Sequence, residues 1–323
     1  MRIVTARSAG EMDRLRPAWQ ALYAAGNHTR FQSFSWNQLA ARIFCEREWP
    51  NVVYVENDAG AALIPAVLTD EGTRLGFLGD ALFDYRDVLF QGDAYVLECA
   101  WQELVSLNLP LSVHALRGRQ NWALWHDFNP QFFCDAPCVR LEDGGAEHFG
   151  AAHSRLGRQI RRLQRQGCHL EQRSGSESEL LAWIYRRKAG QLAGDPHNLF
   201  AEQSRIYFVL AAAAAEPDAW KIFTLERDTH VIAALVTFAD RGTRRFYTVY
   251  YDHAWSRYSP GTALLYEATR LSLDEGLNCD YMTGEQPHKT RLATSRVPLY
   301  RVEVSGTELR RVVNPELEMQ PAA

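Results

Sequence analysis

The densest chemistry in this sequence lies in one turn, Arg257-Tyr258-Ser259-Pro260-Gly261-Thr262-Ala263. A proline followed by small residues starts a helix whose first backbone N–H groups lack helical partners, and such an end attracts anions. Arg257 adds a planar guanidinium that can grip a phosphate through two bonds. Gly261 and Ala263 let a ligand approach the backbone closely. An aromatic strand over Arg244–Tyr251 precedes the turn, and a strand over Cys279–Met282 follows its helix. The pattern points to a phosphate-bearing ligand held between two strands, and so to an enzyme rather than a scaffold. The same residues also suit an ordinary Pro-Gly turn into a core helix, because Leu264, Leu265, Ala268 and Leu271 form an apolar stripe.

Other residues offer chemistry too. Arg155, Arg158, Arg162 and Arg165 are spaced three, four and three apart, which puts them on one helix face opposite Leu156, Ile160 and Leu163. That face is either solvated or an electropositive wall for a nucleotide, a sugar phosphate or tRNA. Asp84-Tyr85-Arg86-Asp87, with Asp80 nearby, is a polar cluster that fits substrate binding or a turn with local hydrogen bonds. Cys279 reads as a small apolar residue of a strand rather than a nucleophile, since no activating base is evident. The histidines show no metal spacing, and Cys134 and Cys138 lack a second pair, so no metal is expected.

These residues need a frame. A chain of 323 residues, 46% of them hydrophobic, suits two domains. The net charge of −4 argues against a general nucleic-acid binder. No apolar run approaches the ~20 residues of a membrane span, and the N-terminus lacks a signal-peptide core. Six scattered cysteines suggest reduced thiols and a cytoplasmic setting, with no membrane partner.

Periodicity divides the chain into two α/β halves. The first has a strand at Ile3–Ala6, helices over Glu11–Ala25 and Trp36–Phe44 (the second capped by Ser35), and strands at Val52–Glu56, Ala61–Leu68 and Arg74–Leu78. A helix near Ala94–Leu107 and a strand at Leu111–Leu116 complete it, and Arg117–Cys138 is the expected crossing. The second half has a strand at Cys138–Leu141, one long helix over Ala146–Gln166, a strand at His169–Gln172, and helices near Glu177–Leu192 and Ser204–Glu216. Strands at Trp220–Glu226, Val231–Phe238 and Arg244–Tyr251, the helix Gly261–Glu275, the strand Cys279–Met282 and an antiparallel pair at Leu299–Val304 and Leu309–Val313 follow.

Asp252, Tyr258-Ser259-Pro260-Gly261, Gly276, Cys279-Asp280 and Gly284-Glu285 with His288-Lys289 resemble the C-terminal signature of the CelD/BcsL (BioF2-like) acetyltransferase domain. That domain belongs to the GNAT superfamily and is similar to the Fem-type aminoacyl transferases. Phe77-Leu78-Gly79-Asp80, Asp84-Tyr85-Arg86-Asp87 and the basic helix Arg158-Gln159-Ile160-Arg161-Arg162 extend the resemblance over most of the chain. Two departures stand out: the phosphate loop has one residue more than the usual Arg/Gln-x-x-Gly-x-Gly/Ala, and His288 replaces an aromatic.

The resemblance implies tandem GNAT-like domains with mixed, largely antiparallel sheets flanked by helices. Residues 1–130 form the acceptor side and residues 131–323 bind acetyl-CoA or another acyl-CoA. It implies donor binding by Arg257, Ser259, Gly261, Thr262 and Ala263, with backbone N–H groups near Tyr247–Tyr250 on the thioester. Glu285 is the expected base, or orients a base water, and Lys289 the charge stabiliser. Asp84, Tyr85, Asp87 and Arg162 are the expected substrate contacts. The reading is a metal-independent acyltransferase acting on an amine of a small metabolite or sugar intermediate by direct attack. Alternatives are a Fem-like transferase using aminoacyl-tRNA and a catalytically silent GNAT-like binding module.

Overall fold

A computed structural model of the chain describes residues 1–117 and 128–313, apart from the side chain of Asp80. Part of the expected crossing between halves therefore lies outside the described residues. The chain divides into two compact units, residues 1–134 with 298–323, and residues 135–297. Residues 298–313, which the sequence reading assigns to the second half, thus pack with the first.

In the first unit, Arg2–Ala6, Val52–Asn57, Gly60–Ile64 and Leu89–Gly92 form an antiparallel sheet in that order. Leu111–Leu116 and Arg74–Phe77 neighbour one another in a second set of strands, extended by Ala66–Thr69 and Trp49–Pro50. Pro65 divides the single strand expected over Ala61–Leu68 into two, since it has no N–H for a ladder. Helix Ala94–Val105 buries Val96, Leu97, Ala100, Trp101 and Leu104 in the core. Ser33, not Ser35, caps the helix Phe34–Ile43 by accepting from Trp36 N–H. The expected strand at Leu309–Val313 is instead the helix Gly306–Val313. Ser305 and Glu308 form its capping box: Ser305 Oγ accepts from Glu308 N–H at 3.2 Å, and Glu308 Oε2 accepts from Ser305 N–H at 2.8 Å.

In the second unit the strand order is Cys168–Ser174, Trp220–Arg227, His230–Asp240, Thr243–Tyr251, Asn278–Asp280 and Gln131–Val139. All pairs are antiparallel except Thr243–Tyr251 with Asn278–Asp280. The helix Pro260–Asp274 buries Ala263, Leu264, Leu265, Ala268 and Leu273 against the sheet. Each fully buried leucine contributes about 1.5–3 kcal/mol before entropy is counted. The long helix expected over Ala146–Gln166 is two helices, Gly145–Ala152 and Ser154–Arg165, because His153 leaves helical geometry at φ −108 and ψ 30. Among the described residues no helix is long and apolar enough to cross a membrane.

Candidate active site

The site in the second unit starts from two strands that part. Thr243–Tyr251 and Asn278–Asp280 run parallel, and only three residue pairs join them, ending at Arg245 and Asp280. Beyond that point pairing on this side stops, while Tyr281 N–H extends the ladder on the other side by donating to Pro137 O. Arg245 closes the last paired rung. Its guanidinium, buried to 8% exposure, bonds Asp240 Oδ2 at 3.3 Å and Asp280 Oδ2. Asp280 Oδ1 in turn accepts from Met282 N–H at 2.7 Å and braces Met282 in the left-handed region at φ 66. A non-glycine residue is rare there, and this turn directs the following polar segment away from the strand.

The other strand is also irregular. Thr237 faces Phe246 while Val236 faces Thr248, so Tyr247 is the extra residue of a β-bulge. Bulges re-aim a strand and occur often beside active sites. The Tyr247 ring packs on Trp220 and Phe238, and the Tyr250 ring meets Trp183 edge-on at 5.4 Å. These two tyrosines, expected at the thioester, thus commit their rings to packing, which leaves the backbone as the part suited to a ligand.

The anion turn forms as its residues dictate. Asp252 caps a short 3-10 helix over His253–Tyr258 by accepting from Ala254 N–H at 2.9 Å, and it accepts from His230 Nε2 at 3.0 Å. These contacts, His230 first, hold its carboxyl below the usual range. Ser259 takes the left-handed conformation at φ 44, and Pro260 opens the helix. Ala263 N–H already donates to Ser259 O at 3.1 Å, so the amides of Gly261 and Thr262 stand ahead of the helical ladder. Gly261 lies close to the strand, where a Cβ would sit 3.2 Å from Tyr251 Cδ1 and press that ring to shift by a few tenths of an ångström.

Two of the arginines singled out from the sequence converge here. The guanidinium of Arg257 lies 4.7 Å and that of Arg162 5.0 Å from the centroid of the Tyr258 ring. Gln159 from the arginine helix also donates to Tyr258 O. Arg155, Arg158, Arg162 and Arg165 are exposed, while Ile160 and Leu163 are buried and Leu156 partly so. The helix terminus therefore carries a cationic rim built from two segments about a hundred residues apart in sequence.

The polar segment after Met282 is less tightly held. Glu285 is exposed, with one oxygen 3.8 Å from Arg296. Lys289 donates to Thr283 O at 2.8 Å and so closes the segment on itself. His288 is half-buried, and burial followed by the nearby charges of Lys289 and Lys188 lowers its pKa. The imidazole is therefore neutral at neutral pH, a property of a base that sequence reading missed at this position. Burial pushes the Cys279 thiol up to about 12, although Ser272 and Arg244 pull it down, so it is a packed thiol and no nucleophile. Among the described residues no cluster of three or more His, Cys, Asp or Glu side chains could hold a metal.

In the first unit, the 84–87 motif turns inward. Tyr85 is 1% and Asp87 2% exposed. Gln32 Nε2 donates to Tyr85 O at 2.7 Å, Arg86 donates to Phe83 O at 2.8 Å, and Asp87 accepts from Val88 N–H at 2.9 Å. The space beside them is about 10 Å³, too small for a substrate. Tyr85 and Asp87, expected to bind acceptor, are therefore occupied in holding this unit together, and Asp84 is only half-buried beside them. Sequence reading also missed a cavity of about 430 Å³ in the second unit, lined by Arg186, Arg187, Gly190, Gln191 and residues 250–253. Its signal was the Arg186-Arg187-Lys188 run near the end of the helix Ser178–Gln191.

Residues 151–290 match the family described as Acetyltransferase (GNAT) domain. The matched residues make up most of the second unit, which carries a GNAT-type acyltransferase fold. The match takes in the arginine helix, the parting strands, the anion turn and the segment through Lys289. No curated protein gives a significant match. The fold is similar to that of a C-terminal domain assigned to a lysylphosphatidylglycerol synthetase of Agrobacterium fabrum, at TM-score 0.60 and 12% identity over 94% of each chain. It also resembles FemX, at TM-score 0.58 and 8% identity over 97% of this chain and 99% of that one. A tandem GNAT protein from the clavulanic acid biosynthesis pathway aligns at TM-score 0.51 and 10% identity, over 94% and 98%. At such identities these likenesses establish the tandem GNAT-like, mixed α/β fold and nothing finer.

Proposed function

We propose that the second unit binds an acyl-CoA along the parted strands and transfers its acyl group to an amine of a small metabolite or sugar intermediate. The observation that carries this reading is the early end of pairing between Thr243–Tyr251 and Asn278–Asp280, beside a helix terminus rimmed by Arg257 and Arg162. The thioester supplies an activated acyl carbon and a thiolate leaving group. Amides of Gly261 and Thr262, with Ser259 and Arg257, hold the donor's phosphates, and Ala263, whose own amide is spent on Ser259 O, offers a small side chain at the turn. Backbone N–H groups of the bulged strand around Tyr247–Tyr250 stabilise the negative charge that grows on the carbonyl oxygen as the amine attacks. The amine must shed a proton as the C–N bond forms and the C–S bond breaks. Glu285, directly or through water, is the proposed base, with His288 as the neutral imidazole that would take its place. Lys289 stabilises developing negative charge. Within the superfamily, the motifs from Asp252 to Lys289 favour the CelD/BcsL (BioF2-like) branch.

One observation favours a second donor. The exposed arginine face extends from Arg165 to Arg155, further than a CoA pyrophosphate requires, and suits an aminoacyl-tRNA. Thermal-shift titration with acetyl-CoA, with tRNA and with buffer alone separates the two. Stabilisation by acetyl-CoA supports the main reading. Stabilisation by tRNA alone, falling steeply with salt, replaces it.

A further inference from the structure

The cavity of about 430 Å³ at the end of the helix Ser178–Gln191 is of a size that suits a small metabolite. Two guanidinium groups, Arg186 and Arg187, line it, and both residues are exposed. Arg187 lies over the Trp183 ring at 5.4 Å, and Trp183 also meets the Tyr250 ring. Among the described residues neither arginine has an ion-pair partner within 4 Å, whereas Arg173, Arg244, Arg245 and Arg270 of this unit each have one. One carboxylate, Asp252, also faces the cavity, but it accepts from His230 and Ala254 N–H. The His253 ring bonds Gln191 Nε2 at 2.8 Å, which fixes both of those lining side chains. Arg187 also acts on Asp252 at longer range, yet two guanidinium groups against one carboxylate leave the lining net positive.

Its position on the strand adds meaning. Val249 and Tyr251 point toward Gly261, because a Cβ on that glycine would meet both side chains. Tyr250, by contrast, points toward Trp183 and the cavity. The strand Thr243–Tyr251 therefore separates two cationic sites, one at the helix terminus and one at Arg186 and Arg187. We propose that the cavity holds the acyl acceptor by an anionic group, a carboxylate or a phosphate bound to Arg186 and Arg187. The acceptor is then an amine that also carries an anion, a conclusion that rests on the acyl-CoA reading of the parted strands.

Two substitutions address the cavity. Arg187→Gln removes one cation. Gly190→Leu projects a side chain into open space at the lining, since nothing lies within 4 Å of a Cβ there, and it also removes a helix glycine. Inorganic phosphate and glutarate are titrated by calorimetry in a Thr262→Glu background, where an added carboxylate prevents anion binding at the helix terminus. Saturable binding of either anion, weakened at least about tenfold by both Arg187→Gln and Gly190→Leu, is the expected result, and the anion that binds names the group. Absence of binding, or binding that both substitutions leave unchanged, overturns the proposal. Acetyl-CoA titrated into the unmodified protein keeps the two failures apart. Donor binding with no anion in the cavity sinks this inference alone. Anion binding without donor affinity removes the acceptor role together with the acyl-CoA reading.

Discussion

The 84–87 motif of the first unit and the 257–263 turn of the second are both short, polar and rich in charge, yet the fold uses them in opposite ways. Around Tyr85, Arg86 and Asp87 the protein supplies the partners itself, from Gln32, Phe83 and Val88, and leaves about 10 Å³ beside them. Around Gly261 and Thr262 the first helical amides precede the ladder, two arginines stand at the rim, and the neighbouring strands part. Polar residues alone thus do not mark a site. Donors and charges that the fold leaves unspent do, because only those can favour a ligand over the protein's own interior.

Substitutions at the two motifs should separate stability from binding. The largest effect is expected from Tyr85→Ala, which empties a buried aromatic position and should cost about 3–5 kcal/mol of stability by denaturant titration. Acetyl-CoA affinity of the folded fraction should be unchanged. Next, Thr262→Glu should lower acetyl-CoA affinity about tenfold to a hundredfold while the helix keeps or gains stability, since a carboxylate suits its N-terminus. Gly261 is a poorer probe, because any side chain there crowds Tyr251. Arg257→Gln should weaken the donor by about tenfold or less, with salt dependence reduced in parallel. Glu285→Gln should lower kcat with little change in donor affinity, and normal turnover would transfer the base role to His288.

The smallest effect belongs to the first unit. His114 Nε2 accepts from Arg86 at 3.1 Å, and that charge, with burial, holds the imidazole down to about 4. Its ordinary value is about 6.5, so between these two the unfolded chain binds a proton that the folded protein does not. The contribution is therefore present above about pH 6.5 and is lost as pH falls toward 4. His114 is also partly exposed, so solvent reduces its size. His114→Asn should flatten the stability profile in that window and leave it unchanged above pH 7.

Much of the frame was legible in the sequence. Strands such as Leu111–Leu116 and Trp220–Arg227 alternate or run apolar, and the stripe of Leu264, Leu265 and Ala268 identifies its helix. The helix Gly306–Val313 was also within reach, because Ser305 and Glu308 spell a capping box that outweighs the apolar spacing of Leu309 and Val313. The break at His153 had no such signal, since the apolar pattern runs through it. For the site, the anion turn was readable because its function lies in consecutive residues. The ligand's place between two strands was expected as well, but not where their pairing ends, because that depends on how early Asn278–Asp280 ends and on Met282 at positive φ. Nor was the cavity, which joins Arg187 to Tyr250 across more than sixty residues of intervening chain.

Hydrogen exchange with and without acetyl-CoA tests the central claim most directly, because it reads both motifs in one experiment. Donor binding at the parted strands predicts slowed exchange in peptides covering residues 246–263 and unchanged exchange in residues 76–90. Unchanged exchange across 246–263 at saturating acetyl-CoA, or protection confined to 76–90, would contradict the account.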